Sequence, residues 1–454
     1  MHKILICGAG PVGLTLAIQC ARYGVDFILI EKEKKKPLYS KALAIWSSVQ
    51  ETFEAIGVDI TESAITLETM QIILEGIPQK AIPLRQDLPS KYKTPLILPQ
   101  YETEAYLKKR LLELGGQIEE GVELLSFEEL PDKIVAKVLD NGQEKTVEAS
   151  WIAGCDGAHS VVRHNAGIAF EGYQEPENFA LCDCVISGQL LKNALIMALG
   201  KLSVAAFFPL PGNLWRIVLK AEVVGGAPTL DLFQKVFDQE GYGLTLKDPV
   251  WLSYFSVHER IATTFAKGRV FLLGDAAHVH SPAGGQGMNT GIQDAYNLGW
   301  KLPYIDKAPA VVSTSYDKER SVIARKVIRE AALKEHVMMN QSLWMRWIKK
   351  VAVPIVTRFS FLPAKLSYAL SGLGLCYPLN PLILKGGHRF EAGPSSKHRL
   401  FITASDLPTL PSDVLVLQGS KEKWVLVRPD LFIAAEGRVG DYSLLKAYFQ
   451  NLLT

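Results

Sequence analysis

The sequence is poor in cysteine, and its few cysteines are scattered. None stands in a Cys-x-x-Cys pair, and no group of cysteine and histidine has the spacing of a zinc site. Three of them fall in apolar runs, where a reduced, buried thiol is the simplest interpretation. The pattern excludes a disulfide scaffold, predicts no metal site and favours a reducing compartment, the cytoplasm. The cysteines are Cys7, Cys20, Cys155, Cys182, Cys184 and Cys376.

The chain also lacks a strong excess of either charge. Lys and Arg number 49 against 47 Asp and Glu, a formal net charge of +2. No long basic stripe is present, so we expect no nucleic-acid partner. A length of 454 residues with 48% hydrophobic and 21% charged residues is typical of a globular protein with two or three packed units.

Long hydrophobic runs are missing as well. No stretch reaches the roughly 18 apolar residues that cross a bilayer, so we expect no transmembrane span. Residues 4–21 are apolar and follow Lys3, which is typical of a signal peptide. The three glycines within that run have motif spacing and no cleavage site follows, so a nucleotide-binding turn explains it better.

The N-terminal part alternates strands and helices. Residues 3–7 and 27–30 are predicted strands around a helix at 11–23, which makes a βαβ unit. A helix is predicted at 102–114. Strands are predicted at 122–127, 134–139, 146–149 and 151–153, with Asn141-Gly142 as a hairpin turn.

The pattern changes after residue 176 and later returns. Residues 179–256 show alternating strands with Pro and Gly between them, which indicates a mostly antiparallel sheet, whereas 270–273 is a short apolar strand like the first one. The expected fold is therefore α/β, with a Rossmann-type domain interleaved with a mostly antiparallel β-sheet domain. The predicted boundaries are 1–175 and 261–335 for the first and 176–260 for the second.

The last third of the chain is predicted to be mostly helical before a small α/β unit. Helices are expected at 294–302 and 316–336, and 336–385 is apolar with helical texture, broken by Pro354, Pro363 and Pro378. Helices packed on the body are the plain interpretation of 344–384, and a peripheral membrane contact is the alternative, because basic residues interleave with the apolar ones. A linker at 386–398 and a unit at 399–454 follow, with strands at 414–417, 424–427 and 431–435 and a helix at 442–453.

The first motif that carries chemistry is Gly8-Ala9-Gly10-Pro11-Val12-Gly13, which follows a strand and opens a helix. Its glycines permit a tight turn, close approach to a pyrophosphate and close packing of helix on strand. The helix N-terminus presents free N–H groups to the phosphate. Glu31 ends the second strand, where a carboxylate accepts from ribose hydroxyls. A carboxylate there favours FAD or NAD over NADP.

The second motif is the run 268–289, in which an apolar strand ends in Gly274-Asp275 and a glycine-rich stretch follows. Asp275 is placed to accept from a ribityl hydroxyl, and Gly284, Gly285 and Gly287 leave room for a flat ring. The helix that starts near Asn289 points its dipole at the pyrimidine end of a flavin. This combination is far more specific than the first motif.

With these residues in place, the chain resembles the single-component FAD-dependent aromatic hydroxylases, in particular their phenol and polyketide hydroxylase branch. A third family motif matches residues 155–163, with Asp156 implied near the pyrophosphate and in nicotinamide recruitment. The alternative for Asp156 is a helix cap. Gln100 matches a flavin contact, Val122 a backbone contact to adenine, and Trp215-Arg216 a Trp-Arg pair of the substrate sheet.

The motifs and the resemblance together predict the site. Catalytic roles fall to Pro282, which would line an oxygen pocket with Gly285, and to Arg216; the cofactor is non-covalent FAD, with NADPH or NADH as a transient co-substrate. The expected cofactor-binding residues are Gly8, Gly10, Pro11, Val12, Gly13, Glu31, Lys32, Lys41, Gln100, Val122, Asp156, Asp275, Pro282, Gly285, Gly287, Met288 and Asn289.

The sequence departs from the family pattern at two positions. Lys41 stands where the family usually has Arg, which keeps the charge and loses the planar guanidinium. Leu431 replaces the usual Gly of a C-terminal thioredoxin-like unit. That tail holds no cysteine, so a redox role for it is excluded and packing or dimerisation remains; a monomer or a homodimer is expected.

The resemblance implies a monooxygenase that hydroxylates a small aromatic or polyketide-like molecule with NAD(P)H and O2 through a flavin hydroperoxide. No side chain stands out as a substrate base, and His258, Tyr254, His280 and Arg216 are equal candidates. Alternatives on the same scaffold are an epoxidase, an antibiotic-inactivating hydroxylase, a halogenase and a prenyl-chain reductase. The halogenase pattern is missing from Trp344-Met345-Arg346-Trp347-Ile348. A non-catalytic binding protein is the alternative of a different class.

Overall fold

A computed structural model describes residues 4–34, 42–85, 88–221, 223, 226–282, 284–358, 368–390, 395–403 and 407–453, without the side chains of 174–177. Its fold is mixed α/β, as predicted. Short 3-10 turns lie at Pro211–Asn213, Gly274–Ala276 and Leu302–Tyr304. The helices are α1 Pro11–Tyr23, α2 Ser47–Ile56, α3 Gln100–Glu113, α4 Val161–Asn165, α5 Leu230–Glu240, α6 Gly287–Gly299, α7 Pro309–Met339, α8 Leu343–Arg358 and α9 Ser443–Leu453.

The first sheet is parallel at its centre and buried on both faces, which explains its short apolar strands. Ile4 pairs with Phe27 on one side and with Trp151 on the other, and Ile152 pairs with Val270. A strand more than a hundred residues later thus completes the opening sheet, so the FAD-binding fold is interrupted and resumed. In spatial order the strands are Ala266–Lys267, Val270–Leu272, Trp151–Gly154, Ile4–Cys7, Phe27–Glu31 and Glu119–Glu120.

A three-stranded antiparallel sheet of Val122–Glu129, Ile134–Asp140 and Gln143–Ala149 covers this core. The predicted hairpin turn has Asn141 at φ 51° and Gly142 at φ 82°. Positive φ at both central residues is what a two-residue hairpin loop requires. The hairpin is confirmed. Its strands are longer than predicted, because the pairing continues up to Asp140 and Gln143 at the turn.

The second large sheet is mostly antiparallel and carries its own core. Its two longest strands, Phe170–Ser187 and Thr245–Ala262, pair along most of their length. One pairing is parallel, between Thr69–Leu74 and Ala194–Leu199, so the sheet recruits a segment that lies before residue 100. The remaining strands are Ile77–Pro78, Ile82–Pro83, Val204–Leu210, Leu214–Lys220 and His278–Val279. A small separate sheet consists of Ala44–Ile45, Ile65–Thr66 and Leu96–Ile97.

The helical prediction for the segment 344–384 is only partly right. Helix α8 is described as far as Arg358, and the described residues beyond Leu370 form turns, with Gly372 at φ 73°. The predicted linker also differs, because its described part bonds to the tail. The Gly387 N–H donates to Ile433 O at 2.9 Å and the Phe390 N–H donates to Leu431 O at 2.8 Å.

The tail forms a four-stranded sheet against α9, in the spatial order Val414–Gln418, His398–Ile402, Lys423–Val427 and Ile433–Arg438. The strand at 398–402 lies partly in the predicted linker. Leu431, which replaces a glycine of the family pattern, is buried at φ 70°. A left-handed backbone costs a non-glycine residue roughly 1–2 kcal/mol, and the buried leucine side chain offsets that cost.

A buried ion network fastens the tail to the FAD-binding part. Glu319 accepts from Arg428 at 2.7 and 2.8 Å and from Lys301 at 2.9 Å, and all three side chains are fully buried. Burial raises the pKa of Glu319, but Arg428 and Lys301 outweigh burial, so the carboxyl stays ionised. Asn297 and Asp430 complete the network.

Candidate active site

The first glycine-rich turn lies where three backbone segments meet. A Cβ on residue 13 would lie 1.9 Å from the carbonyl oxygen of Gly8, and one on residue 8 would lie 2.5 Å from Cys155 O. Gly8 also has φ 99°. By contrast, a Cβ on Gly10 would meet nothing within 4 Å. Gly8 and Gly13 therefore permit packing, while Gly10 leaves open space at the start of α1.

Glu31 lies at the end of its strand beside this turn. Its Oε2 accepts from the Ala9 N–H at 2.8 Å and its Oε1 from the Glu33 N–H at 3.1 Å. The carboxylate is thus held in place by backbone donors at the edge of a cavity of about 370 Å³. Seven predicted residues line that cavity: Gly8, Gly10, Glu31, Lys32, Gln100, Val122 and Asp156.

Asp156 is the residue whose surroundings best indicate that a ligand binds beside it. Its Oδ2 accepts from the Val162 N–H at 3.1 Å, whereas its buried Oδ1 has no hydrogen-bond partner among the described residues. Burial raises the pKa of its carboxyl, and the Ser160 hydroxyl and the Val162 N–H partly offset that rise. The N-cap of α4 is Ser160, which accepts from the Arg163 N–H at 2.9 Å. Capping by Asp156 is therefore only part of its role.

The second motif lines a larger cavity of about 860 Å³, which shares Gly10, Gln100, Cys155 and His159 with the smaller one. Helix α6 begins at Gly287 on its wall, so the positive end of the helix dipole faces the cavity. The predicted residues that line it are Gly10, Pro11, Val12, Gln100, Arg216, Asp275, Pro282, Gly285, Gly287 and Met288.

Of the predicted cofactor residues that the structure describes, Gly13 and Asn289 line neither cavity. Gly13 lies beneath the turn and acts through packing. Asn289 differs from the prediction because its amide is used inside the protein: Oδ1 accepts from the Trp46 N–H, and Nδ2 donates to Ala44 O and Gly285 O, each at 2.8 Å. Its side chain therefore ties Ala44, Trp46 and Gly285 together and does not line the cavity. Lys41 lies outside the described residues.

A buried carboxylate that the sequence analysis missed holds the Gly-Asp turn. Asp294 Oδ2 accepts from the Gly274 N–H at 3.0 Å and contacts His278 Nε2 at 2.8 Å, and Oδ1 accepts from Arg320 Nε at 2.6 Å. Burial raises the pKa of Asp294, but Arg320 and His278 lower it overall. The sequence shows Asp294 nineteen residues after Asp275, which is a weak sign that the two belong to one site. Its partner Arg320 lies on α7 and becomes evident only when α6 packs against that helix.

The antiparallel sheet forms the apolar wall of the larger cavity. Arg216 lies there in a bidentate pair with Asp183, with Nε–Oδ1 at 2.8 Å and Nη2–Oδ2 at 2.7 Å. Its guanidinium also lies over the Trp251 ring at 5.1 Å. A guanidinium held in this way presents hydrogen-bond donors and no acceptor, which favours a positioning role for Arg216 over that of a base.

Of the other base candidates, His258 and His280 line the larger cavity and Tyr254 does not. His280 Nδ1 contacts Ser281 O at 2.7 Å, so Nδ1 carries the proton, and Nε2 has no hydrogen-bond partner within the described part of the chain. Burial lowers the pKa of His280 to about 4. The ring is therefore neutral, with a hydrogen-bond acceptor at Nε2.

The residues fit FAD by three observations: the open space at Gly10, the unpartnered oxygen of Asp156, and two adjoining cavities that connect Glu31 with Asp275. Fold and site together define an FAD-binding oxidoreductase of the interleaved α/β class. The model of the family described as "FAD binding domain" matches residues 1–331. The chain belongs to that family, and the resemblance to FAD-dependent aromatic hydroxylases is confirmed.

The relatives have related activities. The chain is 30% identical to a 6-methylpretetramide 4-monooxygenase of Streptomyces rimosus, over 97% of this chain and 81% of that protein. It is 31% identical to a rifampicin monooxygenase of Streptomyces venezuelae, over 75% and 72%. The solved anhydrotetracycline hydroxylase OxyS of Streptomyces rimosus is 26% identical with a TM-score of 0.82, over 100% of this chain and 99% of that one.

Proposed function

We propose that this protein is an FAD-dependent monooxygenase that hydroxylates an aromatic ring of a small molecule, with NADPH or NADH as electron donor. The observation that carries the proposal is the joining of two cavities. The smaller one is lined by the dinucleotide motif, and the larger one is lined on one side by the Gly-Asp motif and on the other by the apolar sheet. A cofactor bound by the motifs would have its ring beside a substrate on the sheet.

When bound, FAD supplies acceptance of a hydride and activation of dioxygen. The chain's part is to bind, orient and exclude water. Glu31 and Asp275 would hold ribose and ribityl hydroxyls, and the N-terminus of α6 would favour negative charge at the flavin ring. Pro282 and Gly285 would line the oxygen pocket, and His280 Nε2 offers an acceptor for a phenolic hydroxyl.

The nicotinamide donor is proposed to bind transiently. The sequence holds one glycine-rich dinucleotide unit, and we assign that unit to FAD. A second resident nucleotide would need a second unit of this kind. Asp156 lines the smaller cavity, and we propose that this residue recruits the donor.

The flavin is proposed to be non-covalent. Cys155 is the thiol that lines both cavities, and burial, with Asp156 beside it, raises its pKa, so it stays a neutral and weak nucleophile. Acid precipitation should release the flavin into the supernatant. Yellow colour that stays in the pellet would contradict this part of the proposal.

The substrate is proposed to be a planar, largely apolar aromatic molecule with more than one ring. The sheet side of the larger cavity is lined by apolar side chains such as Phe208, Phe179 and Phe255. The cavity of about 860 Å³ gives room for such a molecule, and the relatives named above are monooxygenases of 6-methylpretetramide and rifampicin and a hydroxylase of anhydrotetracycline. Product that carries one oxygen atom from labelled dioxygen is the decisive measurement, and consumption of NAD(P)H without labelled product would reject the proposal.

Replacement of Asp156 by alanine is predicted to slow flavin reduction by NAD(P)H more than about tenfold, a barrier change above about 1.4 kcal/mol. FAD should remain largely bound, because Gly10 and Glu31 are unchanged. Stopped-flow bleaching of the flavin measures the rate. Asp156→Asn is the matched variant, since its amide oxygen can still accept from the Val162 N–H while the carboxylate charge is lost. A parent-like reduction rate in that variant would mean that Asp156 acts only through the helix.

We further propose that the protein works in the cytoplasm as a monomer or homodimer. Among the described helices, none is long and apolar enough to cross a membrane.

A further inference from the structure

Helix α8 presents its apolar side to the outside. Four large apolar side chains recur at intervals of three or four residues from Trp344 on, and the adjacent Leu343 precedes Trp347 by four, so all five share one face of the helix. A helix on the surface of a globular protein normally turns that stripe toward the core. The exposed fractions are 82% for Leu343, 68% for Trp344, 57% for Trp347, 46% for Val351 and 49% for Ile355.

The polar side of α8 faces the protein and fixes this orientation. Lys349 is buried and donates to Met338 O at 2.7 Å and to Asn340 O at 2.8 Å. Arg346 and Lys350 both pair with Glu75, at 2.7 and 2.9 Å. Rotating the helix to bury its apolar face would break these contacts, so the outward stripe belongs to the folded state.

Two indole rings dominate the exposed face. Trp344 and Trp347 are stacked, with ring centroids 5.5 Å apart and planes 16° from parallel. Tryptophan rings favour the boundary between lipid headgroups and acyl chains, because the ring is largely apolar and its N–H is polar. The pair is therefore suited to a lipid surface.

The charge of the region selects the kind of occupant. No Asp or Glu stands between Glu335 and Glu391 in the sequence, whereas α8 alone carries four basic residues, of which Arg358 is exposed on the apolar face. Arg346 and Lys350 are paired with Glu75 and Lys349 is buried, so Arg358 is the basic residue of α8 that adds charge to the outward face. A cation among apolar anchors complements an anionic lipid surface. Two copies placed face to face would bring like charges together with no carboxylate on α8 to pair them.

We propose that α8 lies on an anionic lipid surface through Leu343, Trp344, Trp347, Val351 and Ile355, and so holds the protein at the membrane without spanning it. The contact adds a location to the enzyme and is independent of its chemistry. Met338 and Met339, which line the larger cavity, end the helix that precedes α8. A docked protein would therefore hold that wall of the cavity close to the lipid.

The test uses the full chain with its flavin, and vesicles of phosphatidylcholine alone or mixed with phosphatidylglycerol. We expect co-sedimentation with the anionic vesicles, together with a blue shift of tryptophan emission as Trp344 and Trp347 leave water. The double variant Trp344→Ser, Trp347→Ser should weaken binding at least about tenfold, or about 1.4 kcal/mol. Arg358→Glu should weaken binding to anionic vesicles and not to neutral ones.

Leu112→Ser is the matched control, because Leu112 is 53% exposed on α3, a different helix. It should bind vesicles like the parent, and all variants should retain flavin and melting temperature. Equal vesicle binding by the parent and the double tryptophan variant would overturn the proposal. So would absence of vesicle binding together with a dimer, seen in sedimentation, that the double variant dissociates, since a second copy would then cover the face.

Discussion

The two large sheets of this protein form their shares of the site in different ways. In the parallel sheet, backbone meets backbone: Gly8, Gly13 and Cys155 approach so closely that a side chain at either glycine would collide. In the antiparallel sheet, side chains on paired strands form the wall, as Leu181 and Val218 do. A site made of backbone tolerates few residues, whereas a wall of side chains changes with each substitution. This explains how one cofactor fold serves many substrates.

The largest effect is expected where the backbones meet. Gly13→Ala would place a Cβ 1.9 Å from Gly8 O, and helix α1 cannot move away because it is buried. We predict loss of bound FAD and little soluble protein. Gly10→Ala is the control, since its Cβ would meet nothing.

The Gly10 variant should fold with a melting temperature near that of the parent and yet bind FAD weakly, because its methyl group occupies the space proposed for the pyrophosphate. Flavin content and thermal unfolding distinguish the two glycines. Full FAD binding by Gly10→Ala would mean that this space is not the phosphate site.

A smaller effect, on stability, is expected in the antiparallel sheet. Asp183→Ala leaves the Arg216 guanidinium buried without its bidentate partner, and removing one member of a buried pair typically costs about 3–5 kcal/mol. Urea denaturation measures the loss. The double variant Asp183→Leu, Arg216→Met should recover most of it; a double variant as unstable as the single one would show that packing, and not the uncompensated charge, is responsible.

The smallest effect is expected on the substrate side of the cavity. Phe208 lines the larger cavity opposite Arg216 in the strand register. Phe208→Leu should change KM for an aromatic substrate by a factor that corresponds to about 1–3 kcal/mol of binding free energy. The FAD content should be unchanged. A fall in flavin content in this variant would contradict the separation between the two sheets.

The sequence alone predicted those elements whose conformation depends on residues that are close to each other in the chain. Pro11–Tyr23 begins at a proline after glycines and ends at Gly24 in the left-handed conformation, and both signals are visible in the chain. The Asn141-Gly142 turn and the apolar strand at 270–272 are of the same kind. Their conformations depend on neighbours within a few residues. The same is true of the glycine-rich motifs that lie next to these elements in the chain.

Tertiary structure decided what depends on distant partners. Four described strands between residues 57 and 98 have two residues each and are too short to show a pattern, and the six-residue strand Thr69–Leu74 pairs in parallel with Ala194–Leu199, a partner more than a hundred residues away. In the sequence Asp294 is an ordinary helix position and Asn289 is a predicted cofactor contact, and only packing gives them Arg320 and Trp46 as partners. The outward face of α8 is of the same kind. An apolar stripe indicates only that a helix has two sides, and here the pairing of Glu75 with Arg346 and Lys350 determines which side faces the protein.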